Sequence, residues 1–309
     1  MTDRISLIVN PAATRVGAAL HQHVVDALTP FGLDTVTPTA RRGDGARLAA
    51  AAVDAGATLV IAMGGDGTAN EVAGALAGTG VPLAIIPAGS TNVFARALGW
   101  PHPARVALPV LVRALAQPTY REVRVGHVTF GDTERVFCVN AGTGLDADVI
   151  HAVEAHPWIK TRLRNLGVGA TTLVTAARIA RHSSSIAVSV DDAPPFEVTT
   201  LVAACGAPYA FLGSRPFELV PGADFDGRLR WMGLRTSRFG LAGRAAVGAL
   251  RGGRHLGRPD VLDGWASTQI TIRAASPVAV QADGEPLGRH TDIRLAPGPR
   301  IRVLLPAGR

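Results

Sequence analysis

One stretch, Gly64-Gly65-Asp66-Gly67-Thr68-Ala69-Asn70-Glu71, constrains this chain more than any other. The apolar run Ala57 to Ala62 before it reads as a buried parallel strand. Val72 to Leu76 after it reads as a helix. The glycines therefore lie between a strand end and a helix start, where open α/β sheets bind ligands. Glycine lets the backbone meet a ligand without an intervening Cβ. Amides and a helix N-terminus then face the ligand, an arrangement suited to phosphate. The stretch has no lysine, so it is not G-x-x-x-x-G-K-[ST], and it is not G-x-G-x-x-G. The bland alternative is a tight turn with Asp66 or Thr68 capping the helix.

Around this loop, strands alternate with helical patterns. Ile5 to Val9, Leu33 to Pro38 and Val81 to Ile86 read as further strands. Asn10-Pro11-Ala12 follows the first strand, and a polar turn from Thr39 to Asp44 follows the second. The helix after the glycine loop is expected over Ala69–Ala77, with another over Ala46–Asp54. Such alternation predicts a doubly wound parallel sheet. A second polar loop, Pro87-Ala88-Gly89-Ser90-Thr91-Asn92-Val93-Phe94-Ala95-Arg96, follows the fourth strand. Alone it reads as a capped helix start. Pro101 to Gln117 is a connecting helix, after which strands succeed one another with few helices between them. That pattern predicts an antiparallel β-sandwich. The expected fold is thus α/β followed by β, with domains at 1–118 and 119–290 and C-terminal strands at 291–309 returning to the first domain. Two Asp-Gly pairs, Asp226-Gly227 and Asp283-Gly284, read as turns.

The 309 residues are 47% hydrophobic and 18% charged, a globular composition. Net charge is +7, carried almost wholly by arginine, with Lys160 the single lysine. Anionic partners follow: nucleotide phosphates, or an anionic lipid surface. No basic-aromatic motif favours nucleic acid, and none is expected as a partner. Cys138 and Cys205 lie in apolar runs and read as buried free thiols. There is no signal-peptide pattern and no run of about 18 apolar residues that could span a bilayer. The expected location is cytoplasmic, peripheral at the inner membrane face. Trp158 to Arg181 mixes Trp158, aliphatic and basic residues; it suits either membrane docking or a surface helix.

The glycine stretch resembles the signature shared by diacylglycerol kinases, sphingosine kinases, NAD kinases and 6-phosphofructokinases. The Pro87–Arg96 loop resembles the bacterial lipid kinase pattern in particular. The order of the Gly64–Glu71, Pro87–Arg96 and Asp283–Glu285 motifs is similar to that of the diacylglycerol kinase family. The resemblance implies ATP and Mg2+ as cofactors and a diacylglycerol-like lipid alcohol as acceptor. It implies nucleotide contacts from Asn10, Pro11, Ala12, Thr39, Gly64, Gly65, Asp66, Gly67, Thr68, Asn70, Glu71, Gly89, Ser90 and Asn92. Asp66 would organise magnesium, Asp283 would be the general base, and Glu285 would hold Asp283 or the metal. A structural magnesium would be held by the Asp226 carboxylate and the carbonyls of Ala223 and Arg228. Two departures stand out: Thr14 replaces the glycine usual after Asn-Pro, and Val93 replaces an aspartate common in diacylglycerol kinases. A homodimer is compatible with the family. The rival readings are a soluble-substrate kinase such as NAD kinase, and a nucleotide- or lipid-binding protein with a decayed site.

Overall fold

The computed structural model describes residues 4–13, 17–155, 184–236 and 239–307. Thr14 and the Trp158–Arg181 stretch lie outside the described residues. The chain forms two compact units, one of residues 1–124 with 299–309 and the other of residues 125–298. These boundaries fall several residues later than the sequence predicts at both points. The reason is that β5 (Tyr120–Phe130) and β16 (Glu285–Leu304) each run through a boundary as one unbroken strand.

In the first unit, β1 (Ile5–Val9), β2 (Leu33–Pro38), β3 (Leu59–Gly64) and β4 (Leu83–Pro87) form a parallel sheet in the order β2-β1-β3-β4. The returning C-terminal segment adds to it through Val303, which pairs in parallel with Leu83. β1, β3 and β4 are buried along their whole length, as expected of parallel strands covered on both faces. The connecting helices are α1 (Ala18–Leu28), α2 (Asp44–Asp54) and α3 (Asp66–Leu76). The short α4 (Val93–Ala97) and α5 (Ala104–Ala116) follow β4. Helix α3 begins at Asp66, earlier than the Ala69 start expected from the sequence. Gly65 supplies an extended N-cap directly after β3, so no separate turn intervenes.

The second unit is an antiparallel, strand-rich body. Its central strands run in the order β14 (Val261–Ala266), β13 (Leu229–Leu234), β10 (Thr200–Ala204), β7 (Asn140–Gly144), β15 (Ile270–Ala282) and β16. The hairpin of β8 (Ile186–Val190) and β9 (Phe196–Val198) joins through β15. β6 (Thr133–Phe137) pairs with β5, and β11 (Ala210–Leu212) pairs with β12 (Arg215–Phe217). Residues 138–139 connect β6 to β7. Among the described residues, the unit also holds two helices, α6 (Leu145–Ala155) and α7 (Phe239–Ala249). Val202, Met232, Leu234, Val220 and Val261 form one apolar cluster between sheet and covering segments. Cys138 and Cys205 are buried, and neither is in a disulfide.

The β8–β9 hairpin is tied to β15 by one carboxylate. Asp191 accepts hydrogen bonds from the amides of Ser267, Thr268 and Gln269 and from the Thr268 hydroxyl. Burial raises its pKa, but these four donors outweigh burial and bring it down to about 2 from an ordinary 3.8. A carboxylate depressed in the folded state contributes stability that is complete above its unfolded value and lost as pH falls through the folded one. Asp191→Asn is therefore expected to lower stability at pH 7 by about 1 kcal/mol, as for loss of a helix or turn cap. The difference from wild type should shrink between pH 3.8 and 2 in chemical denaturation. An equal difference at pH 7 and pH 2 would show that the charge of Asp191 does not matter.

Candidate active site

In the first unit the two glycine loops lie at the C-terminal ends of neighbouring strands, β3 and β4. Their backbones touch. A Cβ on Gly89 would lie 2.6 Å from the Cα of Gly65, and one on Gly64 would lie 2.5 Å from the Thr68 hydroxyl. The carbonyl of Gly64 accepts from the amides of both Ala88 (2.8 Å) and Gly89 (3.2 Å), which locks the loops together.

Asp66 fastens the same junction through its side chain. One carboxylate oxygen accepts from the Thr91 hydroxyl at 2.8 Å, and the other from the Phe94 amide at 3.2 Å. Burial pushes the carboxyl above its ordinary value, while Thr91 and the amides of residues 92–94 pull it back. Neither Asp66 nor Thr68 caps α3: its N-cap is Gly65, with no side-chain cap, and Asp66 instead receives the Phe94 amide in the first turn of α4. The Thr68 hydroxyl accepts from the Asn10 side-chain amide at 3.1 Å, joining the end of β1 to the first turn of α3. Asn10 in turn accepts from the Ala12 amide, which shapes the Pro11-Ala12 turn.

Two of the expected nucleotide contacts have other work. Asn92 is 2% exposed. Its Oδ1 accepts from the Gly89 amide and its Nδ2 donates to the Gly89 carbonyl, so the whole side-chain amide is committed to the loop. The left-handed backbone of Asn92 (φ 50) belongs to the same closed turn. Glu71 points to the loop after β2, accepting from the amides of Gly43 and Gly45 at 2.8 and 2.9 Å. Asp44 closes that loop from the other side, taking the amides of Ala40 and Arg41. Thr39 continues β2, its amide donating to the Val9 carbonyl. Ser90, Pro11 and Ala12 are exposed, and Gly67 and Asn70 are half-buried on the first turns of α3. Sequence reasoning did not single out Thr91 or Asp44 as site residues: the Thr91 hydroxyl serves the Asp66 carboxylate, and the Asp44 carboxylate serves the amides of Ala40 and Arg41.

In the second unit, Asp283 and Gly284 form the two-residue turn between β15 and β16, both at positive φ (48 and 79). This is the backbone that an Asp-Gly hairpin predicts. The Asp283 side chain turns back onto β7. It accepts from three consecutive amides: Cys138 at 2.5 Å, Val139 at 2.8 Å and Asn140 at 3.0 Å. These donors hold the ionised carboxylate in one orientation. Glu285 is paired with Arg135 at 3.6 Å.

Around Asp226, Asp224, Asp226 and Arg228 are exposed, while Ala223 and Phe225 are buried. The Asp226 amide donates to Asp224, and the Phe225 amide donates to the Cys205 carbonyl. The Arg228 guanidinium stacks 4.5 Å over the Trp265 ring, so the residue offers a turn its carbonyl and not its charge. Oxygen donors of this kind suit a hard divalent cation. Among the described residues, no cluster of three or more His, Cys, Asp or Glu side chains could hold a metal alone.

Comparison with known proteins gives these parts a common source. Residues 4–128 match the family model described as the diacylglycerol kinase catalytic domain. A Pseudomonas aeruginosa (strain PAO1) protein described as "Probable lipid kinase YegS-like" is 32% identical over 270 residues, covering 86% of this chain and 82% of its own. The chain belongs to the diacylglycerol kinase-like lipid kinase family. A second relative with the same description, from Pseudomonas fluorescens, is 30% identical and covers 93% of this chain and 92% of its own. A Mycobacterium tuberculosis protein described as "Diacylglycerol kinase" is 31% identical, with 52% of each chain covered. The fold also matches the crystal structure of a diacylglycerol kinase from Bacillus anthracis str. Sterne. That match has TM-score 0.67 at 20% identity, covering 99% of this chain and 97% of that one.

Gly89 tests the contact between the loops in this family member. Gly89→Ala should force the loops apart and raise the KM for ATP by about tenfold or more, the equivalent of about 1.4 kcal/mol. Gly243→Ala, on α7 where a Cβ meets nothing within 4 Å, should leave KM unchanged. Equal KM values for the two variants would show that the close approach of Gly65 and Gly89 plays no part in nucleotide binding.

Proposed function

We propose that this chain transfers the γ-phosphoryl group of ATP to the hydroxyl of a membrane lipid, with diacylglycerol as acceptor and phosphatidic acid as product. The observation that carries this reading is the pair of touching glycine loops at the C-terminal ends of β3 and β4, where Gly65 and Gly67 are half-buried and Ser90 is exposed, so that their backbone can meet a polyphosphate. Membership of a lipid kinase family supports the reaction class. The charge of +7 supports peripheral attachment to an anionic inner membrane face. Among the described residues, no helix is long and apolar enough to cross a membrane.

Each residue has a role in this reading. Loop amides with Thr68 and Ser90 bind the phosphates, and Asn10 holds the Thr68 hydroxyl in place. Asp66, already anchored by Thr91 and the Phe94 amide, would help hold a magnesium ion, which would supply charge neutralisation for the transferring phosphoryl group. The lipid hydroxyl oxygen forms a bond to the γ-phosphorus as the bond to the β–γ bridging oxygen breaks, and ADP leaves. The hydroxyl proton passes to Asp283, whose carboxylate is aimed by the amides of residues 138–140. Glu285, paired with Arg135, holds the strand start beside it. The Asp226 carboxylate and the carbonyls of Ala223 and Arg228 would hold a second divalent cation, which would stiffen the turn that contains them.

A second reading of the proton acceptor rests on a specific observation. Burial pushes the Asp66 carboxyl above its ordinary value, which makes its carboxylate a stronger base. Asp283 is oriented by three amide donors. Kinetics separate the two. If Asp283 accepts the proton, Asp283→Asn lowers kcat by about 10²- to 10⁴-fold with the KM for ATP and Tm nearly unchanged. A variant with near-normal kcat moves the role to Asp66.

The Asp226 site is tested without turnover. An ion that binds only the folded chain raises its Tm. Magnesium should raise the Tm of wild type and fail to raise that of Asp226→Ala. An equal magnesium-dependent rise in both proteins would remove Asp226 from metal binding.

A further inference from the structure

Behind the Asp283 turn lies a polar cluster that the mechanism above does not use. Gln281, 0% exposed, sits two residues before Asp283 on β15. Asn140, 4% exposed, begins β7. Asp146 stands in the first turn of α6, and Tyr209 lies just before β11. The bonds run in one continuous chain. The Gly284 amide donates to Gln281 Oε1 at 3.0 Å. Gln281 Nε2 donates to Asn140 Oδ1 at 3.2 Å and to Asp146 Oδ2 at 2.8 Å. Asn140 Nδ2 donates to the Tyr209 carbonyl at 3.0 Å, and the Tyr209 hydroxyl donates to Asp146 Oδ1. Gly142 makes the space: a Cβ there would lie 2.2 Å from Asp146 Oδ2.

Backbone groups fix every direction in this chain. The Gly284 amide can only donate, so Gln281 must turn its oxygen towards it. The Tyr209 carbonyl can only accept, so Asn140 must turn its nitrogen towards it and its oxygen to Gln281. Gln281 is then left with a second N–H, and that N–H faces Asp146. The tyrosine hydroxyl is a second donor to the same carboxyl. An ionised carboxylate accepts both. A protonated acid brings its own hydrogen into a place already occupied by donors.

We propose that Asp146 is a positioning residue for the Asp283 turn: its ionised carboxylate orients the Gln281 amide, which fixes the Gly284 amide and the Asn140 end of the strand that grips Asp283. This inference rests on the reading of Asp283 as the group that takes the lipid proton. Burial raises the Asp146 pKa from 3.8 to about 6, against the opposing hydrogen bonds from Tyr209 and Gln281. The turn is therefore held above that pH and loosens below it.

Other titratable groups surround the cluster. On α6, Asp148 is paired with Arg289, and His151 is bonded to the Val280 carbonyl. Burial pushes Tyr209 well above its usual value, with the Asp146 and Asp283 charges adding to the rise. Burial and the Asp283 charge likewise push the Cys205 thiol up. Neither titrates near neutrality. His151 and Asp148 do not touch Gln281 in the chain of bonds above, so substitution of Asp146 isolates its own effect.

The experiment follows the Gly284 amide by NMR in the full chain labelled with 15N-glycine, between pH 5 and 7.5. The expected result is a shift with a midpoint of about 6 in wild type. It should be absent in Asp146→Asn, whose oxygen still accepts from Gln281 but which carries no titrating charge. The pH profile of kcat with ATP and diacylglycerol should show an acid limb with the same midpoint, abolished in that variant, and kcat of Asp146→Leu should fall about tenfold at pH 7.5. A Gly284 amide that does not respond to pH in wild type, or responds equally in Asp146→Asn, overturns the inference. This NMR arm needs no turnover. A wild-type protein that shows the shift but phosphorylates no lipid contradicts the kinase reading and leaves the link between Asp146 and the turn standing. Should Asp146→Asn fail to fold, Tyr209→Phe serves: losing a bond that lowers the Asp146 pKa should move the Gly284 midpoint upward, and an unmoved midpoint overturns the inference.

Discussion

Gly65 and Gly89 lie so close that a side chain on Gly89 would run into the Gly65 backbone. Most of the candidate site in the first unit depends on that approach. It brings the loops after β3 and β4 within reach of one carboxylate, Asp66, which takes a hydroxyl and an amide from the second loop. It also requires Asn92 to fold its own loop tightly, with both ends of its amide bonded to Gly89. The residues of the motif are thus mostly occupied with one another. Backbone amides and a few hydroxyls remain to meet phosphate. This is the usual solution for a ligand of high charge and little shape: many weak donors held rigidly, with no bulky side chain in front of them.

The second unit uses the opposite strategy at Asp283. There a single carboxylate is held by three backbone amides, and the strand that supplies them is braced by a buried network of mutually bonded side chains. A satisfied buried network specifies one arrangement, because any rotation leaves a donor facing a donor in a medium of low dielectric. A carboxylate at an exposed hairpin turn is otherwise free to change rotamer. Precision here comes from the layer behind the turn.

Much of this was legible in the sequence. The alternation of buried strands and helices pointed to the parallel unit, and the Asp-Gly pair pointed to the β15–β16 turn, because both depend on local pattern. The glycine loops were recognisable because glycines between a strand end and a helix start suit a close backbone approach. The tasks of Glu71 and Asn92 were not legible. Both stand in motifs read as nucleotide contacts, yet their partners, Gly43, Gly45 and Gly89, are backbone groups that any residue would offer. Asn140, Asp146, Tyr209 and Gln281 were missed for a related reason. They are brought together from four separate elements, and no spacing along the chain announces a contact over 141 residues, as between Gln281 and Asn140. The domain boundaries shifted because strands β5 and β16 continue through them, and hydrophobic alternation does not change where one unit hands over to the next.

The central claim is phosphoryl transfer to a lipid hydroxyl, and product identification tests it most directly. The full chain would be incubated with γ-labelled ATP, magnesium and, separately, diacylglycerol, a sphingoid base, ceramide and NAD. The account predicts label in the lipid fraction, greatest with diacylglycerol as phosphatidic acid, and none in NAD. Label in NAD, or ATP turnover with no labelled lipid from any acceptor, would contradict it.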